Sequence, residues 1–168
     1  QTCALPIFRM FCDCITLGGR LLLDVGPKED GTLDERQEKV LLDLGSWIHD
    51  HEEAVYPTGK GLSYHQFLGG STLSVDQQVL YLFLYDKPLE SVCVKGVKTP
   101  VKRVTALHSG QELHFSYTGS LPWSGIPGTL WIWAQDLQTH PFATVLKVEL
   151  EGKITYNLGH GEVVTNND

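Results

Sequence analysis

Apolar residues recur at helical spacing in the first third of the chain and at strand spacing in the rest. Phe8, Phe11, Cys12 and Ile15 fall at i, i+3, i+4 and i+7, which predicts a helix over Phe8–Leu17 with one apolar face. Gly18-Gly19 then supplies a left-handed stop. Leu21–Val25 has no polar alternation and sits between that turn and Gly26-Pro27, which predicts a buried, parallel strand. Thr32-x-x-Glu35 has capping-box spacing, and Asp34, Glu35 and Glu38 suit a helix N-terminus. Val40, Leu41, Leu44, Trp47 and Ile48 form one stripe, so an amphipathic helix is expected over Leu33–His51.

Tyr56–Gly61, with two glycines and a proline, reads as a link and as the best boundary in the chain. Beyond it the pattern is β. Strands are expected over Thr72–Ser74, Val79–Tyr85, Ser91–Val97, Val101–Leu107, Glu112–Tyr117, Thr129–Trp133, Thr144–Leu150 and Lys153–Tyr156. Short strands with regular turn signals and no helical period predict an antiparallel sandwich. Thr165–Asp168 is polar and is expected to fray.

Composition narrows the function classes. The 168 residues are 42% hydrophobic and 20% charged, with a net charge of -7. That charge argues against nucleic acid or an anionic membrane as partner, and no apolar run approaches a membrane span. Of the four cysteines, Cys12-x-Cys14 is too tight for the usual zinc spacing, so buried or half-buried thiols are expected, with Cys3 and Cys93. Gln1–Ile7 reads as the translated end of a short-read sequencing adapter. It is expected to be an artefact, with the natural chain extending further on its N-terminal side.

Several residues invite a chemical reading, each beside a plainer one. Asp24 lies near the C-terminal end of the expected strand, where function collects in α/β architectures. It is either a residue that supports a site loop or, as favoured, a carboxylate bonded to the following turn. His49-Asp50-His51-Glu52-Glu53 looks like a metal or acid/base cluster, but it lacks H-E-x-x-H spacing and reads better as a solvated helix end. Trp123, Trp131 and Trp133 are a sugar-stacking platform or, as favoured, core or inter-domain packing residues. His65 is a candidate brace near the boundary. His108, His114, His140 and His160 show no ligand spacing.

The stretch from Gly18 to Tyr56 carries a resemblance. Gly18, Gly19, Leu21–Leu23, Asp24, Val25, Gly26, Pro27, Asp30, Gly31, Gly45, Trp47, Glu53, Ala54, Val55 and Tyr56 follow a pattern similar to that of the family 29 glycoside hydrolases, the α-L-fucosidases. Weaker likeness continues through Gly61, His65, Phe67, Leu80–Leu84 and Val94-Lys95-Gly96. Arg20 and Pro57 depart from the pattern. The resemblance implies an α+β chain: the last β/α unit of a (β/α)8-like TIM barrel over residues 8–60, followed by an antiparallel β-sandwich over 61–168. It implies a fragment of a retaining exo-α-L-fucosidase that acts on terminal α-L-fucosyl residues of glycans without a cofactor or metal. The alternative is a non-catalytic carbohydrate-binding or packing module. A retaining glycosidase needs two carboxylates about 5 Å apart. The family's pair lies upstream of the Leu-Leu-Leu-Asp stretch, so no catalytic residue is expected here, and Asp24 remains a weak substrate-site candidate. The resemblance also implies a fucosylated glycan as substrate and a periplasmic, extracellular or lysosomal-type location.

Overall fold

A computed structural model describes residues 4–157 apart from 122 and 124. Cys3, His160 and Thr165–Asp168 therefore lie outside the described residues. The chain opens with helix α1 (Ala4–Thr16), whose buried positions Phe8, Cys12 and Thr16 repeat every four residues. Its end is a Schellman turn: Gly19 N–H donates to the Cys14 carbonyl and Gly18 N–H to that of Ile15. Gly18 has φ +80°, which a side chain would strain.

Leu21–Val25 is not a strand. No strand of the described residues pairs with it, and without a ladder its leucines are buried only in part, Leu23 against the helix–sheet core. Leu22 is 85% exposed, while Leu21, Leu23 and Val25 are half-buried. The expected strand thus fails for want of a sheet.

Helix α2 (Glu35–Asp50) forms close to the expected bounds, but the capping box does not. Asp34 is the cap, its carboxylate accepting from Arg36 N–H. Thr32 instead bonds Asp30 through both its amide and its hydroxyl. A single turn, α3 (Glu52–Val55), follows.

Among the described residues eight strands come next: β1 (Thr58–Lys60), β2 (Gly70–Ser74), β3 (Val79–Leu84), β4 (Ser91–Val94), β5 (Val101–Ala106), β6 (Phe115–Thr118), β7 (Thr129–Trp133) and β8 (Thr144–Leu150). All pair antiparallel, in a five-stranded sheet ordered β1-β2-β3-β8-β5 and a three-stranded sheet ordered β4-β7-β6. Thr58–Lys60, in the expected link, is an edge strand. Lys153–Tyr156 is not a strand; Tyr156 makes one bridge to Val97.

The two sheets enclose a core that includes Leu80, Leu82, Val94, Val104, Ile132, Leu146 and Val148. The other face of the larger sheet carries the helices. There Tyr81, Phe83 and Val145 meet Phe8, Cys12, Leu44, Trp47 and Ala54. The molecule is therefore helix layer, five-stranded sheet, three-stranded sheet. This arrangement explains why Val79–Tyr85 shows no alternation: β3 is a central strand buried on both sides.

Candidate functional site

Three places collect the residues singled out above. The first is the outer face of the three-stranded sheet. β7 sends Leu130 and Ile132 inward, which turns Thr129, Trp131 and Trp133 outward. The pairing sets Ser91 opposite Trp133, and Cys93 and Ser116 on either side of Trp131. Trp133 Nε1–H donates to Ser116 Oγ at 3.3 Å. Both indoles line a cavity of 320 Å³ with Glu90, Ser91 and Thr118. A second hollow of 240 Å³ shares Thr118 and runs past Thr129 to Lys95. Core packing thus fails for Trp133, which is 40% exposed, and for Trp123, which is 84% exposed, while Trp131 is half-buried. β7 is apolar on both faces, and the smaller aliphatic pair fills the core.

The second place is a histidine cluster that the sequence does not announce. His51, His108 and His140 come from the α2–α3 joint, the turn after β5 and the loop before β8, with ring centroids 5.7–6.3 Å apart. His51 is fully buried and stacks on Trp47 at 4.3 Å. Its Nδ1–H donates to the Trp47 carbonyl at 2.7 Å, which leaves Nε2 as an acceptor. Neither His51 Nε2 nor His108 Nδ1 has a hydrogen-bond partner among the described residues. Burial pushes His51 down to about 4, the bond to Trp47 opposing, and lowers His108 and His140 too. The solvated-end reading of residues 49–53 therefore holds for His49, which meets Glu52 at 3.2 Å, and fails for His51. Glu53 also turns inward, accepting from Tyr81 Oη at 2.9 Å and Lys147 Nζ at 2.6 Å. Among the described residues, no group of three or more His, Cys, Asp or Glu is placed to hold a metal ion.

The third place is the exposed stretch from Leu17 to Gly31. Asp24 lies there and is itself exposed. His65, the candidate brace, is an exposed loop residue against Tyr64. The cysteines are buried or half-buried, as their type suggests: Cys12, Cys14 and Cys93 are free thiols, and burial pushes Cys12 up to about 12. Such a thiol is inert. The partnered carboxylates serve the fold: Asp13 receives Tyr85 Oη, Asp34 caps α2, Asp76 holds the β2–β3 turn, and Glu149 pairs with Arg103.

Residues 4–53 match a family model described as alpha-L-fucosidase. Over that stretch the chain is similar to the α-L-fucosidases. Plasma alpha-L-fucosidase of Homo sapiens is 35% identical over 52 residues, covering 31% of this chain and 11% of that protein. An alpha-L-fucosidase of Dictyostelium discoideum is 25% identical over 84 residues, covering 48% and 18%. The chain thus spans a small part of the relatives it matches, and these relatives are glycoside hydrolases. The fold agrees. An alpha-L-fucosidase from Vibrio sp. strain EJY3 superposes with a TM-score of 0.78 at 21% identity, over 92% of this chain and 27% of that one. Isoenzyme 1 from Paenibacillus thiaminolyticus gives 0.71 at 23% identity, over 88% and 34%. The sequence match falls on α1, the exposed stretch, α2 and the start of α3. The structural likeness extends through both sheets.

Proposed function

We propose that this chain is the C-terminal part of a retaining exo-α-L-fucosidase that removes terminal α-L-fucosyl residues from glycans. On this reading residues 8–60 complete a (β/α)8-like barrel, residues 61–168 form its accessory sandwich, and Leu21–Val25 becomes a strand only beside its barrel neighbours. The family match over residues 4–53 carries the proposal. The exposed Leu22, at 85%, supports it as a surface waiting for a sheet. The nucleophile and the acid/base belong upstream, and no metal or cofactor is involved. A periplasmic, extracellular or lysosomal-type location follows from the same reading.

The chain as it stands should not hydrolyse an aryl α-L-fucoside, because on this reading both catalytic carboxylates lie upstream of it. The assay is release of the aryl alcohol by the purified chain, with Asp24→Asn beside it. Turnover abolished by Asp24→Asn would overturn the assignment of catalysis to residues outside this stretch.

A further inference from the structure

We propose that the groove on the outer face of the three-stranded sheet binds a neutral oligosaccharide, with sugar C–H faces against Trp131 and Trp133. No layer of the described residues covers this face. Trp133, 40% exposed, and the half-buried Trp131 leave the edges of two indoles open to water on this face, a surface suited to an occupant. The surroundings decide what kind. Ser91, Ser116, Thr118 and Thr129 ring the indoles with short hydroxyls. A lipid or an aliphatic protein surface would strip water from these hydroxyls and give no hydrogen bonds in return. A sugar ring offers both what the indoles and what the hydroxyls need. Its C–H bonds carry partial positive charge toward the negative π face, and its equatorial hydroxyls reach the rim.

Charge and shape narrow the class further. Glu90 stands at one end of the groove and Lys95 at the other, so it has no net charge to draw a sulfated or sialylated chain. The 320 Å³ hollow lies at the lower end of small-molecule sites, roughly 300–1,000 Å³, and the second hollow beyond Thr118 lengthens it. Alternate residues on a strand place the two indoles roughly 7 Å apart, on the scale of neighbouring rings in an oligosaccharide. The bond from Trp133 to Ser116 holds one indole before any ligand arrives. The inference concerns glycan retention and stands apart from the hydrolytic reading, since none of these residues lies in the segment matched by the fucosidase family.

The test is a glycan array bearing neutral, sialylated and sulfated oligosaccharides, probed with the purified 168-residue chain. Affinity for the best neutral hit is then measured by calorimetry. The expected result is selective binding to neutral glycans, weakened about three- to tenfold by Trp131→Ala or Trp133→Ala and unaffected by Tyr64→Ala, an exposed aromatic elsewhere. Ser91→Arg, which fills the groove without removing an indole, should block binding while the thermal midpoint stays put. Binding to anionic glycans alone, no binding to any neutral glycan, or a self-association that the tryptophan variants dissolve would each overturn the proposal.

Discussion

Trp47 ties the helix layer to the sheet more directly than any other side chain. It is 1% exposed, stacks on His51, meets Phe8 and Phe11 edge-on, and donates its Nε1–H to the Ala143 carbonyl at 2.9 Å. Trp47→Ala should cost about 3–5 kcal/mol in urea unfolding, and Trp47→Phe about 1–3 kcal/mol, since the Ala143 carbonyl loses its partner. His51 beneath it gives the molecule a pH dependence of definite sign. The folded state keeps the imidazole neutral down to about pH 4, whereas the unfolded chain takes its proton near 6.5. Stability is therefore full above pH 6.5 and falls as the pH drops from there toward 4, by at most about 3 kcal/mol from this group. His108 and His140 face it and act in the same direction, while Asp50 opposes. In His51→Phe, which keeps the stack, the slope of stability between pH 6.5 and 4 should flatten; an unchanged slope would remove His51 from the account. This cluster was invisible in the sequence because its three members share no period and meet only through the tertiary fold. Trp47 was legible, standing in the middle of a helical stripe.

Among the elements, those whose partners lie within the chain are legible in the sequence. The four-residue repeat of Phe8 and Cys12 located α1, and the unalternating Val79–Tyr85 marked a strand, because each finds its burial inside this molecule. Leu21–Val25 has the right composition for a strand and no neighbour to pair with. β7 shows the other failure. Its bounds are legible, but with Leu130 and Ile132 on one face and Trp131 and Trp133 on the other, hydrophobicity alone does not choose the inner face. The β1–β2 edge makes a local packing prediction. A Cβ on Gly61 would stand 2.7 Å from the Ser71 backbone, whereas one on Gly59 meets nothing within 4 Å. Gly61→Ala should therefore lower stability by about 1–3 kcal/mol, and Gly59→Ala should be near neutral, read as shifts of the urea midpoint. Equal effects at the two positions would refute the close approach of β1 and β2.

For the molecule as a whole, three layers share two cores, and the largely exposed segment between α1 and α2 touches the helix–sheet core through the half-buried Leu23. Trypsin should cut first at Arg20 or Lys28, and α1 should remain bound afterwards because Phe8 and Cys12 are fully buried against the larger sheet and α2. Co-elution of the two pieces on gel filtration checks this; release of the α1 peptide would contradict the shared core. The same exposed segment carries the family signature, and it joins the α-L-fucosidase likeness to the proposal that catalysis needs more chain than this. The most direct measurement is genomic sequencing across the region encoding Ile7 and Phe8. The expected result is an open frame continuing upstream into further β/α units that contain the two catalytic carboxylates. An in-frame stop next to that junction, or an unrelated domain in its place, would contradict it.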